Sequence, residues 1–297
     1  MKKVLVIVGP TAIGKSSFAI EAAKRFDGEI ISGDSIQIYR GLDIGSGKVS
    51  EQERKMAVHH LIDTKNPHER YSVKEFQEDC RRLIDDIAGR GKMPIICGGT
   101  GLYIKAALYD YEFKEEERQM DLFDDIDDDT LYEKLKQVDP VSAEKIHPHN
   151  RRRVVRALNI YYQNNEAKSS IEKRQTHTKI YDTLYIGLTA KRETVYQNIE
   201  KRVSKMFEQG LEQEINNLLA SGVDFDSEAF KGIGYKEFKE YFQGNMTIAE
   251  VKDLIIRNSK KYAKRQYTWF NNQEEVSWFE RDDWEEAFRQ IGEWYHE

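Results

Sequence analysis

Apolar positions along the chain follow two spacings. Over the first ~110 residues, short apolar runs bounded by glycine alternate with longer segments whose apolar side chains recur every three or four positions. That alternation is the pattern of a parallel α/β sheet. The first run, Val4 to Val8, predicts a strand, and an amphipathic helix pattern opens at Lys15. "EIISGD", Glu29 to Asp34, reads as a second short strand ending in a glycine turn. In "YSVKEFQEDCRRLIDDIAGRGK" the residues Val73, Phe76, Cys80, Leu83, Ile84 and Ile87 share one helical face, with Ser72 as N-cap and Gly89 and Gly91 as stops. "MPIICGGTGLYIKAAL" predicts a buried strand, a Gly-Gly turn and a further helix.

After Tyr111 the strand pattern stops, and "TLYEKLKQVDPVSAEKIHPHNRRRVVRALNIYYQNN" carries helical spacing alone. "TLYIGLTA", Thr183 to Ala190, resumes the β pattern and runs into one long predicted helix, "RETVYQNIEKRVSKMFEQGLEQEINNLLASG". The rest reads as mostly helical. The expected architecture is α/β: a parallel-sheet core over residues 1–112 and 181–297, interrupted by a small helical domain at 113–180.

Between the first strand and the first helix stands Gly9-Pro10-Thr11-Ala12-Ile13-Gly14-Lys15-Ser16. This is G-x-x-x-x-G-K-[ST] in the strand–loop–helix setting that gives the pattern its mechanism, so the core is expected to be P-loop NTPase-like. The backbone of Gly9, Thr11, Ala12, Ile13 and Gly14, together with the helix N-terminus, would cradle a phosphate. Lys15 adds a point charge, and the Ser16 hydroxyl can ligate Mg2+. A kinase, a GTPase and a diphosphate-using transferase could each begin with this loop.

Ligands of such sheets sit beyond the carboxyl ends of the strands. Two more segments fall there, "SGDSIQIYR" and "GGTGLY". Asp34 is the first carboxylate beyond the second strand, suited to general-base work or to capping. Ser35, Gln37 and Thr100 are small polar groups of the kind that read a base or ribose edge.

Composition narrows these choices. A chain of 297 residues, 39% hydrophobic and 33% charged, suits one large core, or a core with an insertion, and long exposed helices. Two cysteines, Cys80 and Cys97, lack ligand-like spacing, so neither a disulfide framework nor a zinc site is expected. His59, His60, His147 and His149 come without an HExxH motif and are assigned packing or capping roles. The five-residue apolar run near the N-terminus is too short for a signal sequence, and no stretch approaches the ~18 apolar residues of a membrane span. A cytoplasmic protein without membrane contact is expected.

The net charge of −6 is misleading, because "KEEERQMDLFDDIDDD", Lys114 to Asp129, holds nine acids and the rest of the chain is slightly basic. "NRRRVVRAL" places Arg151, Arg152, Arg153 and Arg156 around an apolar face. In "RNSKKYAKRQYTWF", Arg257, Lys261, Lys264 and Arg265 share one helical stripe beside Tyr262, Tyr267, Trp269 and Phe270. Basic stripes neutralise phosphates and aromatic rings stack on bases, so the two stretches point to RNA.

Together these segments resemble the tRNA dimethylallyltransferase family, also called tRNA isopentenyltransferases. The matching stretches are "GPTAIGKS", "EIISGDSIQIYRGLDIGSGK", "HHLID", "GGTGLYIKA", "VDPVSAEKIHPHNRRRVVRAL", "RVSKMFEQGLEQE", "GIGYKE" and "YAKRQYTWF". The resemblance implies transfer of a dimethylallyl group from dimethylallyl diphosphate to N6 of the adenosine 3′ of the anticodon, with Mg2+. By residue it implies Asp34 as general base, and Arg202 and Lys15 on the departing diphosphate. Asp34, Ser35, Ile36, Gln37 and Thr100 would lie against the target nucleotide, and Arg152, Arg153 and Arg156 would touch the tRNA anticodon stem-loop. A monomer is expected.

Three departures stand out: Asn198 where that family usually has arginine, "DIGSGKV" for "DIGTAKP", and Val58 before the paired histidines. The first implies the loss of one diphosphate contact. One rival reading is a small-molecule or nucleoside kinase with ATP in the loop, which leaves "YAKRQYTWF" without a role, and a closer one keeps the chemistry but prenylates free adenine nucleotides. A GTPase is disfavoured, because the sequence has neither an N-K-x-D nor a D-x-x-G in the expected setting.

Overall fold

The computed structural model describes residues 1–111, 113, 123, 125–176 and 178–297. Most of the acidic block, residues 114–122 and 124, lies outside the described residues. The chain divides into two compact units, Met1–Tyr109 with Lys179–Glu297, and Asp110–Thr178.

In the first unit, β1 (Lys3–Val8), β2 (Gly28–Ser32), β3 (His59–His60), β4 (Met93–Cys97), β5 (Asp182–Thr189) and β6 (Val276–Glu280) form a sheet in the order β3-β2-β4-β1-β5-β6, with every pairing parallel. Helices α1 (Lys15–Arg25), α2 (Glu51–Met56), α3 (Val73–Gly89) and α4 (Gly101–Leu108) alternate with the first strands. Val4 through Val8, Ile30, Ile31, Ile95 and Ile96 are all buried. A strand covered on both faces needs such a continuous apolar run, and each of these side chains contributes about 1.5–3 kcal/mol.

Register positions the site. Ile7 pairs with Cys97, and Cys97 with Ser32, so β1, β4 and β2 end side by side. The loops that follow are cross-linked: the Gly98 N–H donates to the Ile7 carbonyl (3.2 Å), Gly33 N–H to Cys97 (2.8 Å) and Thr100 N–H to Gly33 (3.4 Å). Three segments far apart in sequence therefore form one floor.

Ser72 does cap α3, in a capping box with Glu75. Two expectations change. The long helix after β5 breaks into α9 (Arg192–Glu208) and α10 (Leu211–Ala220), because Gly210 stands at φ +93°, a left-handed conformation that ends one helix and starts another. The C-terminal part also holds β6, an edge strand beside β5 that was not predicted. Its five residues carry too little periodicity to be seen without their partner.

The paired histidines pack and bond. His59 Nδ1 meets the Ala57 carbonyl at 2.8 Å, and His60 Nε2 meets the Glu29 carboxylate at 2.8 Å. Both cysteines are free thiols. Among the described residues no helix is long and apolar enough to cross a membrane.

The second unit contains α5 (Asp128–Val138), α6 (Pro140–Lys145), α7 (Arg151–Asn164) and α8 (Lys168–Arg174). They close on a small core that includes Leu131, Leu135, Val154, Ala157 and Leu158. Buried Asp139 caps α6 through the Ser142 N–H (3.0 Å) and accepts the Ser169 N–H (3.0 Å) and hydroxyl (2.6 Å). One carboxylate thereby ties α6 to α8.

Candidate active site

Beyond the carboxyl ends of β1, β2 and β4 lie two cavities of about 430 and 320 Å³. The first is lined by the phosphate loop from Thr11 to Ser16, with Gln37, Cys97, Asn198 and Arg202. The second is lined by Ser35, Ile36, Thr100, Tyr71, Tyr103 and Glu228, among others. Asp34, Thr11, Ser46, Arg202 and Tyr262 line both, so the two cavities meet at a carboxylate and a guanidinium.

The phosphate loop follows from its sequence. Gly14 precedes α1 at φ +103°, which a side chain would strain, and the first residues of α1, Lys15 and Ser16, line the first cavity. The Lys15 ammonium donates to the carbonyls of Gly9 (3.0 Å) and Pro10 (2.8 Å). An ammonium has three hydrogens, so one remains for an anion. Burial pushes the Lys15 pKa down to about 8, with neighbouring Arg202 pushing the same way and Cys97 and Asp34 opposing. The Cys97 thiol is pushed up to about 11, also by burial.

Asp34 is held by its own backbone. Its Oδ1 accepts the N–H groups of Ile36 (2.8 Å) and Gln37 (3.3 Å), while Oδ2 has no hydrogen-bond partner among the described residues. One oxygen thus fixes the carboxylate and the other is left for chemistry, so the capping and general-base readings of Asp34 are compatible. Gln37 is itself tied down, accepting from the Ser32 hydroxyl (3.2 Å) and donating to the Gly47 carbonyl (3.4 Å).

Arg202, on α9, donates from Nη1 to the Thr11 hydroxyl (3.1 Å) and from Nη2 to the Ser46 carbonyl (3.0 Å). Its pKa is lowered, chiefly by burial, with Asp34 opposing. No salt bridge to Arg202 occurs among the described residues, so its charge is balanced by neutral acceptors and by nearby Asp34. Asn198 lies one turn earlier on the same helix and lines the first cavity. Its buried Nδ2 has no hydrogen-bond partner among the described residues.

Some residues at this site went unassigned in the sequence. Gln266 belongs to α12 (Ile248–Gln273), is 4% exposed, accepts the Thr11 N–H (2.9 Å) and donates to the Gly99 carbonyl (3.2 Å). It staples the phosphate loop to the Gly-Gly turn. An amide on the apolar face of "YAKRQYTWF" was the available signal.

The aromatic residues of that helix differ from the expected base-stacking row. Phe270 is fully buried, Trp269 packs against Phe270, and Tyr267 shares a hydrogen bond with Thr189 (2.8 Å). Tyr262 alone of the four lines the cavities. The basic stripe also divides: Arg257, Lys261 and Lys264 line a separate hollow with Arg192, whereas Arg265 borders the second cavity.

Arg152, Arg153 and Arg156 are exposed on α7 of the second unit. Their neighbour Arg151 is structural, donating to the carbonyls of Phe123 (2.6 Å) and Ile126 (2.7 Å) and to Asp128 (2.8 Å).

A family model described as IPP transferase matches residues 37–273. The chain belongs to the IPP transferase family. Among its relatives, a tRNA dimethylallyltransferase of Anoxybacillus flavithermus is 47% identical over 99% of this chain and 96% of its own length. One of Geobacillus kaustophilus is likewise 47% identical, over 95% and 91%. Solved structures agree with this IPP transferase fold. A tRNA isopentenylpyrophosphate transferase from Staphylococcus epidermidis is 41% identical, covers 99% of this chain and 100% of its own, and superposes with a TM-score of 0.74. A eukaryotic dimethylallyltransferase acting on tRNA is 31% identical over 98% of this chain and 78% of its own, with a TM-score of 0.85.

Proposed function

We propose that this protein transfers a dimethylallyl group from dimethylallyl diphosphate to N6 of the adenosine 3′ of the anticodon in tRNA, releasing diphosphate. The observation that carries the site assignment is the meeting of two cavities at Asp34 and Arg202. One has a phosphate loop, and the other is flanked by tyrosines.

In this reading the diphosphate lies along Thr11 to Ser16, with Lys15 and Arg202 on its oxygens and the Asn198 amide within the same cavity. The flipped adenine enters the second cavity between Tyr71, Tyr103 and Tyr262, near Ser35, Ile36 and Thr100. An anticodon-loop base is already unpaired, so extruding it costs only a few kcal/mol. The allylic C–O bond breaks and its electrons leave with the diphosphate, while the N6–C bond forms and N6 loses a proton to Asp34 Oδ2. Charge growing on the leaving group would be stabilised by Lys15, Arg202 and the loop N–H groups other than that of Thr11, which is committed to Gln266.

The residues fit a divalent cation of the Mg2+ type, which takes oxygen ligands and uses few protein groups when phosphates are present. The Ser16 hydroxyl has no hydrogen-bond partner among the described residues and lines the same cavity as Asp34. Bound there, Mg2+ would neutralise charge on the diphosphate.

Arg152, Arg153 and Arg156 are assigned to the anticodon stem-loop backbone through the second unit, 110–178. A tRNA substrate supports a cytoplasmic location.

The direct test incubates protein, Mg2+ and labelled dimethylallyl diphosphate with unmodified tRNA carrying adenosine 3′ of the anticodon. Label in the tRNA and one diphosphate released per label are expected. Phosphate transfer from ATP to a small molecule, without labelled tRNA, would overturn the reading in favour of a kinase.

Lys15 also predicts a pH dependence. Free Lys15 loses its proton as pH rises through about 8, whereas a bound diphosphate holds the proton on. Binding above that pH must therefore take up a proton, and diphosphate affinity falls by up to about tenfold per pH unit. Calorimetry on the protein and on Lys15→Met, whose difference removes the titration of diphosphate itself, measures the slope. Stability moves the other way. Unfolded Lys15 keeps its proton to about 10.5, so between about 8 and 10.5 the unfolded chain binds more protons and this residue's burial destabilises less as pH rises.

A further inference from the structure

Two motifs, "GLEQE" and "GIGYKE", have no part in the chemistry so far, yet they converge on one loop. Glu214, on α10, accepts four hydrogen bonds. The N–H groups of Asp43 (3.0 Å) and Ile44 (2.7 Å) reach Oε2, and the Gly45 N–H (3.1 Å) and the Tyr235 hydroxyl (2.8 Å) reach Oε1. The Tyr235 oxygen in turn accepts the Ser46 N–H (3.1 Å). Four successive backbone N–H groups, 43 to 46, are thus anchored by one carboxylate and the phenol bonded to it. Successive N–H groups arranged around an anion form a stiff local unit.

The far side of the same loop holds Arg202. The Ser46 carbonyl accepts its Nη2, and Gly47 lies so close that an added Cβ would overlap the guanidinium. A Cβ at Gly45 would likewise fall against the Tyr235 ring. The loop is pressed between Tyr235 on one side and Arg202 on the other, with glycine at both contacts. Among the described residues Arg202 has one other hydrogen-bond partner, the Thr11 hydroxyl, so the loop supplies one of the two bonds that aim it.

We propose that Glu214 is a positioning residue for Arg202, acting through the loop 43–47 with Tyr235 as its hydroxyl relay. The inference rests on the reading that Arg202 holds the diphosphate. Glu214 lines neither cavity and touches no reacting atom. Its effect is on where the guanidinium points, and a misplacement of about 1 Å near reacting groups costs on the order of 100-fold in rate.

The test is a double-mutant cycle. Diphosphate affinity, kcat, KM for tRNA and the denaturation midpoint are measured for wild type, Glu214→Gln, Arg202→Ala and the double variant. Glutamine keeps the shape, but whichever way its amide turns the NH2 faces at least one backbone N–H, so the loop loses part of its anchor. Glu214→Gln is expected to lower diphosphate affinity and kcat by about 10- to 100-fold with KM for tRNA unchanged. In the Arg202→Ala background the same change is expected to cost less than about twofold, because the group it positions is gone.

Equal losses in both backgrounds would show Glu214 to be structural only and overturn the proposal. Should Arg202→Ala alone leave diphosphate affinity and kcat unchanged, the diphosphate reading of Arg202 fails, and this inference with it. Tyr235→Phe guards against misfolding of the Glu214 variant. It removes one hydroxyl and is expected to give the same pattern at about three- to tenfold, and an unchanged kcat and diphosphate affinity there would also overturn the proposal.

Discussion

Replacing Asp34 by asparagine is expected to slow prenyl transfer by about 10²- to 10⁴-fold, the usual contribution of a positioned general base. The geometry makes this variant informative because it separates two roles. Oδ1 carries the structural bonds to the Ile36 and Gln37 N–H groups, and an asparagine oxygen accepts both in the same way. The other atom, Oδ2, becomes an NH2 that cannot take a proton from N6. Folding and diphosphate affinity should therefore persist while kcat falls. Single-turnover transfer to tRNA, with calorimetry and a denaturation curve alongside, reads all three. A rate within tenfold of wild type would remove Asp34 from the chemistry. A loss matched by a lower denaturation midpoint would mark it as a loop-capping residue.

Removal of the guanidinium at position 202 is the second large effect. Arg202→Ala is expected to lower kcat by about 10²- to 10³-fold, the range for deleting one preorganised donor to a developing oxyanion. The arginine is half-buried, and its charge is held by the Thr11 hydroxyl and the Ser46 carbonyl, with no salt bridge among the described residues. Such a site is costly to an isolated cation, as its lowered pKa reflects, and becomes favourable once negative charge arrives beside it. The cost is therefore expected in kcat and diphosphate affinity, with stability little changed. Arg202→Lys should restore less than about a tenth of the loss, because one ammonium cannot keep both bonds and still face the diphosphate. Full rescue by lysine would mean that charge alone is required.

Both effects depend on features of different range. Asp34 is held by the next three residues, so a local reading of "SGDSIQ" already contains its geometry. Arg202 is held by a hydroxyl and a carbonyl 191 and 156 residues away, and nothing near "EKRVSK" reveals them. Only the family resemblance singled it out in the sequence.

The sequence by itself determined the elements whose signals are local. These are the buried strands β1, β2 and β4, the phosphate loop, the capped helix α3, and the switch to helix-only spacing after Tyr111. Each depends on side chains within a turn or two of one another, and on backbone demands that glycine or a capping serine states directly. The tertiary structure alone decided the rest. It made β6 a strand by giving it β5 as a partner, since a lone five-residue segment has nothing to hydrogen-bond. It separated Arg265 from Lys261 and Lys264 by seating α12 against the site on one face. It also brought Gln266 to Thr11 across 255 residues, and Glu214 and Tyr235 to the loop below Arg202. Hydrogen bonds of that span are set by how helices dock on a twisted sheet, which no window along the chain contains.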